Sequence, residues 1–195
     1  MSVLWLLGAY LAGSLSSAVL VAKAMGLPDP RTVGSGNPGA TNVLRVGGKK
    51  AAALTLLGDV LKGVIPVLLG RLAGLPEPLL AGMALAAFLG HLYPLFFGFK
   101  GGKGVATAFG VMIAGAPMLG LAVLGTWIAM FAVSRISSLS ALTAALLAPL
   151  YAWWLKLPPV WWYTVAAVTV LVLWRHRSNI RQLLSGREKR IDLRR

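Results

Sequence analysis

The sequence predicts an all-α integral membrane protein: a bundle of about seven transmembrane helices, some of them short, with the N-terminus outside and the C-terminus cytoplasmic. Three observations carry that expectation. Hydrophobic residues make up 57% of the 195-residue chain and charged residues only 12%, and the mean hydropathy is +0.77, too apolar for a soluble domain that must cover itself with charge. Apolar stretches recur at lengths suited to a bilayer core, which a helix crosses in roughly 20 residues. Cations concentrate on alternate connections between those stretches, as the positive-inside bias requires.

The stretches fall at 2–22, 51–73, 77–97, 105–134, 138–155 and 158–174. The first lacks a basic leading region and is long enough to span, so it is expected as a helix and not as a cleaved signal. The fourth is too long for one crossing and contains Gly115-Ala116-Pro117, where a helix breaks, so two short helices are expected there. Lys23, Arg31, Arg45, Lys49 and Lys50 lie between the first two spans, and Lys100 and Lys103 follow the third. Both connections are therefore expected in the cytoplasm, with Arg135 and the basic tail over 176–195 on the same side. The connections at 71–77 and 156–159 carry little charge. No repeat or linker divides the chain, so a single domain over 1–195 is expected. Small residues such as Gly8, Ala12 and Gly13 let membrane helices approach, and Trp153, Trp154, Trp161, Trp162 and Tyr163 bracket a turn as interfacial anchors do.

The composition also excludes function classes. A net charge of +14 suits polyanions in general, but the cations sit at helix ends, where topology and anionic lipid account for them, and no nucleic-acid partner is expected. Cysteine is absent and there are only two histidines and five acidic residues, so thiolate chemistry, a metal centre and a bound cofactor are not expected.

Two polar loops gather the chemistry. Gly34-Ser35-Gly36-Asn37-Pro38-Gly39-Ala40-Thr41-Asn42-Val43-Leu44-Arg45 combines flexible backbone at Gly34 and Gly36 with the hydrogen-bonding side chains of Ser35, Asn37 and Asn42. Arg45 adds a planar fork of donors suited to phosphate oxygens. Gly98-Phe99-Lys100-Gly101-Gly102-Lys103-Gly104 leads into a helix near Val105, so Gly101, Gly102 and Gly104 direct backbone and a helix N-terminus at an anion, with Lys103 as a point charge. It is not a nucleotide-binding P-loop: counted from Gly98, the sixth position is Lys103 and not glycine. His91 precedes this loop and His176 opens the tail; each is either a hydrogen-bonding interfacial residue or a ligand-contacting one. Ser134, Ser137, Ser138 and Ser140 offer hydroxyls at another helix end, as caps or as contacts. Asp59 and Lys62, three apart on one helical face at membrane depth, read either as a mutually neutralising structural pair or as groups orienting a cation of the first loop.

Together GSGNPGATNVLR at 34–45, GHLYPLFFGFKGGKGVAT at 90–107 and HRSNIRQLLSGRE at 176–188 resemble, in order and spacing, the bacterial acyl-phosphate:glycerol-3-phosphate acyltransferases of the PlsY type, over nearly the whole chain. The resemblance implies a seven-helix enzyme of the bacterial cytoplasmic (inner) membrane that moves a fatty acyl group from acyl phosphate to the 1-hydroxyl of glycerol 3-phosphate. It implies catalytic roles for Ser35, Arg45, Lys103, His176 and Asn179. Substrate contacts are expected at Gly34, Gly36, Asn37, Asn42, His91, Gly101, Gly102, Gly104 and Ser138, and Glu188 matches a glutamate linked to structural integrity. Partners implied are the two substrates, membrane lipid and a soluble acyl-phosphate-forming enzyme of the PlsX type. The chain departs from the family at Ser178, where relatives often carry an acid, and at Ala141, where a small polar residue is expected.

Rival readings are fewer. Acyltransferases that use acyl-CoA carry H-x-x-x-x-D, whereas Phe96 and Arg181 stand at the fifth position after His91 and His176. Metal-dependent CDP-alcohol phosphotransferases need clustered aspartates, and only Asp29, Asp59 and Asp192 are present. An organic-anion or phosphate transporter would use cationic loops too, but transporter sites lie near the membrane midplane.

Overall fold

The structure is a computed structural model that describes residues 1–191. Among the described residues there are nine α-helices, one 3₁₀ turn and no strand. They form two compact units, Met1–Gly115 and the remainder from Ala116; residues 192–195, the end of the expected basic tail and with them Asp192, lie outside the described residues.

The first unit contains α1 (Ser2–Gly13), α2 (Ser17–Ala24), α3 (Ala40–Leu72), α4 (Glu77–Leu92), a 3₁₀ turn at Leu95–Phe97, and α5 (Val105–Gly115). The first apolar stretch is not one straight helix: α1 and α2 meet at a 45° bend. Ser14 explains the break locally, because its buried hydroxyl donates to Tyr10 O at 2.9 Å, a side-chain bond that competes with helix propagation. α3 begins well before the expected residue 51, since the second half of the first polar loop is itself helical. Its geometry is interrupted at Gly48, whose φ of 78° and ψ of −177° are non-helical.

Close backbone crossings hold these helices. A Cβ on Gly13 would strike the Ala87 backbone, and one on Gly90 would strike Tyr10 O, so α1 lies directly on α4. Gly63 and Gly110 do the same for α3 and α5, facing Thr107 O and Val60 O. Small residues permit such contact in membrane bundles, where packing and hydrogen bonds replace the hydrophobic drive between helices. Phe88, Leu80, Met83, Leu92 and Val67 fill the interior, while Leu54, Leu57, Leu61, Ile65 and Leu69 of α3 face outward.

The second unit contains α6 (Pro117–Ser134), α7 (Ser137–Trp154), α8 (Pro159–Arg175) and α9 (Arg177–Leu184). α5 ends at Gly115 and α6 starts at Pro117, where the sequence places the break. Arg135 ends α6 in the left-handed conformation at φ 61°. Of the five aromatic residues expected as interfacial anchors, Trp153, Trp154, Trp162 and Tyr163 are exposed, but Trp161 is only 3% exposed and belongs to the core. Within the first turn of α8 Trp161 faces inward, and a sequence count of aromatics cannot separate it from its neighbour.

By length and apolarity, α3, the Glu77–Phe97 segment and α6 can each cross a bilayer, and α1 with α2 makes a fourth candidate; α5 and α8 are shorter apolar helices.

Candidate functional site

The first loop is organised by one side chain. Asn42, 1% exposed at the start of α3, accepts the Ser35 N–H on Oδ1 at 2.8 Å and donates from Nδ2 to Pro30 O at 2.8 Å and Val33 O at 3.0 Å. These bonds pin the chain three ways around Ser35. Gly34 turns there with φ 62°, and a Cβ on it would strike Asn42 Oδ1, so both conformation and space demand glycine. Ser35, Gly36 and Arg45 are exposed, and Asn37 is half-buried. Asn42 is expected from its sequence to face substrate; its amide instead makes three bonds to the loop backbone, while Ser35 and Arg45 remain on the surface.

Arg31 ties the entry of this loop to the 3₁₀ turn before the second. Its guanidinium meets Asp29 at 2.6 Å, approaches Phe97 O at 3.5 Å and lies 5.9 Å from the centre of the Phe97 ring. The hydrogen bond from Arg31 holds the Asp29 carboxyl below the usual carboxylate range, and Asp29 raises the Arg31 guanidinium in turn. In sequence Arg31 reads as a topology charge; the Asp29-Pro30-Arg31 spacing, which lets an acid and a base close over one proline turn, is the signal for the pair.

The second loop lies against the end of α4. Gly102 donates its N–H to His91 O at 3.3 Å; a Cβ on Gly101 would strike the His91 and Leu92 carbonyls, and one on Gly104 would enter the Phe88 ring. The two loops meet at Gly102, where a Cβ would strike His91 Nε2 and come within 3.1 Å of Pro38 O. Thus Gly34, Ser35, Gly36, Asn37 and Asn42 belong to one assembly with His91 and the segment Gly101–Gly104, in which Lys103 is half-buried.

Beneath that assembly lies a buried polar cluster. Lys62 Nζ is 2.9 Å from Asp59 Oδ1 and donates to Leu15 O at 2.7 Å, at the gap between α1 and α2. His91 Nδ1 is 3.6 Å from Asp59 Oδ1. Thr107 Oγ1 donates to Asp59 O at 2.9 Å.

The second unit builds its polar site from one carboxylate. Glu188 Oε1 accepts from Ser138 Oγ at 2.6 Å and from Asn179 Nδ2 at 2.7 Å. Ile191 N–H donates to Arg135 O at 2.8 Å, fastening the segment after α9 to the α6–α7 turn. His176, 3% exposed at the α8–α9 junction, sets Nδ1 2.8 Å from Val172 O. A carbonyl only accepts, so Nδ1 carries the proton and a neutral ring has its lone pair at Nε2. Ser134 and Ser140 bond to carbonyls of their own helix ends, Met130 O and Ile136 O. Ser178 is exposed, and Ala141 is a buried core residue.

Glycine-built polar loops between apolar helices, several of them long enough to cross a bilayer, define the class: an integral membrane protein. The family model described as glycerol-3-phosphate acyltransferase matches residues 3–186. Proteins named glycerol-3-phosphate acyltransferase from Methylobacillus flagellatus and Thioalkalivibrio sulfidiphilus are 60% and 58% identical to this chain. The first alignment covers 94% of both chains, and the second covers 95% of this chain and 91% of the relative. A crystal structure of PlsY (YgiH), an integral membrane glycerol 3-phosphate acyltransferase in its glycerol 3-phosphate form, superposes with a TM-score of 0.93. It is 42% identical, over 98% of this chain and 96% of that one. Its lysophosphatidic acid form gives 0.89 at 39% identity, over 98% and 95%. The chain belongs to the glycerol-3-phosphate acyltransferase family.

Proposed function

We propose that this membrane acyltransferase moves a fatty acyl group from acyl phosphate to the 1-hydroxyl of glycerol 3-phosphate at the cytoplasmic face of the bacterial inner membrane. The observation that carries the reading is the family match over residues 3–186, joined by a relative solved in both glycerol 3-phosphate and lysophosphatidic acid forms. Acyl phosphate is a mixed anhydride, already activated, so positioning and charge stabilisation suffice. The hydroxyl oxygen bonds to the acyl carbon, the bond from that carbon to the phosphate oxygen breaks, and inorganic phosphate leaves. The hydroxyl proton passes to a phosphate oxygen or to His176 Nε2.

Arg45 and Lys103 hold phosphate oxygens, and Ser35, kept in place through its N–H by Asn42, positions substrate through its hydroxyl without forming an acyl-enzyme. Gly101, Gly102 and Gly104 let the backbone approach glycerol 3-phosphate, and Asn179 and Ser138 contact substrate. Topology follows the charge: about seven crossings, N-terminus outside, and a basic tail from 176 in the cytoplasm. That tail also offers a surface for a soluble enzyme that makes the acyl phosphate, and the whole chain acts as one functional domain.

The test supplies purified protein with labelled glycerol 3-phosphate and either palmitoyl phosphate or palmitoyl-CoA, and separates lysophosphatidic acid by chromatography. Product with acyl phosphate alone is expected; product with the CoA ester alone, or with neither donor, overturns the proposal.

A further inference from the structure

Asp59 meets residues of the helices on both sides of the second loop. Ahead of the loop, its carboxylate oxygen stands 3.6 Å from His91 Nδ1; behind it, its carbonyl accepts the Thr107 hydroxyl at 2.9 Å in the first turn of α5. His91 sits where α4 packs closely on α1, since a Cβ on the preceding Gly90 would strike Tyr10 O. The Nε2 edge of that ring lies where Gly102 leaves no room for a Cβ, and the His91 carbonyl takes the Gly102 N–H at 3.3 Å. Both the ring and the carbonyl of His91 thus bear on Gly102, the residue before Lys103.

We propose that the buried Asp59–Lys62 pair is the footing of the second loop, setting the His91 ring and through it the place of Gly102 and Lys103, so that His91 is a positioning residue for glycerol 3-phosphate. This rests on the acyltransferase reading. An imidazole has a nitrogen on each edge, and a carboxylate facing Nδ1 favours the rotamer and tautomer that turn Nε2 to the loop. Lys62 balances the buried carboxylate and also satisfies Leu15 O at the bend between α1 and α2, so removing either partner alone leaves a buried charge uncompensated. The informative change removes both charges together.

The double variant Asp59→Asn/Lys62→Met is expected to purify folded, with KM for glycerol 3-phosphate raised at least fivefold, KM for the acyl donor within twofold of wild type, and roughly tenfold faster amide hydrogen exchange over residues 98–105. Wild-type KM and wild-type exchange in a folded double variant overturn the proposal, leaving the pair a neutral structural filler. Should the double variant fail to fold, His91→Gln, which keeps a polar end but loses the ring, must show the same KM rise and the same local exchange; wild-type values there overturn it equally. Wild-type enzyme in the same assay separates the two readings: without lysophosphatidic acid from wild type the acyltransferase reading fails, while exchange over 98–105 still decides the positioning claim.

Discussion

The two units fix their polar residues by different means. In the first, it is backbone that is held: the Asn42 side chain bonds three main-chain groups, and Gly34, Gly101, Gly102 and Gly104 let segments of chain lie where a Cβ has no space. In the second, one side chain, Glu188, gathers Ser138 and Asn179 on a single oxygen. A backbone-built site has many small supports, so single changes shift its geometry. A carboxylate-built site has one support, and its loss releases two groups at once.

The sharpest way to break that contrast is Glu188→Ala. Asn179 and Ser138 lose their common acceptor, so kcat should fall roughly a hundredfold through misplacement, with about 1–3 kcal/mol of stability lost in an unfolding assay. Glu188→Gln, which keeps an accepting oxygen, should recover most of both. Next in size is Gly102→Ala, which drives a methyl into His91 and toward Pro38 O; overpacking of about 1–3 kcal/mol should appear as roughly tenfold or more in kcat/KM, carried by KM for glycerol 3-phosphate. If both variants divided their losses between kcat and KM in the same way, the distinction between the two units would have no functional meaning.

Smaller again is Asn42→Asp. The Oδ1 acceptor for Ser35 survives, but an oxygen replaces the donor to Pro30 and Val33, so stability should drop by about 1–3 kcal/mol, with turnover falling less than in Asn42→Ala. The smallest effect concerns Arg31 and Asp29. Because the folded carboxyl of Asp29 is lowered, its pairing contributes at pH above the ordinary carboxylate range and is lost as pH falls through the lowered value. Amide exchange at 95–99 should therefore quicken on acidification in the wild type and be pH-independent, beyond intrinsic chemistry, in Asp29→Asn. An unchanged wild-type profile would show that Arg31 holds Phe97 without its carboxylate partner.

The helices were legible because apolar runs and topology charges are local signals: the Gly115–Pro117 break and the basic loops can be read residue by residue. The bend at Ser14 was not, since it depends on a hydroxyl turning back onto Tyr10 and on Lys62, 47 positions away, meeting the Leu15 carbonyl. In the two polar loops, residue type and spacing did not show the division of labour among the side chains. Asn42 has the residue type of a ligand contact, and only its burial and three internal bonds give it to the loop. The glycines of 101–104 carry the composition of a phosphate cradle, yet part of the reason for them is the end of α4 beneath. Asp59 and Lys62 were visible as a pair; that His91 and Thr107 converge on the same aspartate could not be seen from spacing.

Gly48 places a joint between Arg45 and the span below it, in a backbone conformation that glycine holds without penalty. The segment that carries Arg45 is fastened to its loop through Asn42, whereas the rest of α3 answers to the thickness of the lipid. A membrane helix adapts to a thicker or thinner bilayer by tilting, and a rigid rod would carry its terminal arginine along an arc as it did so. The change of direction at Gly48 lets the turn that carries Arg45 follow its loop while the span below keeps an axis of its own.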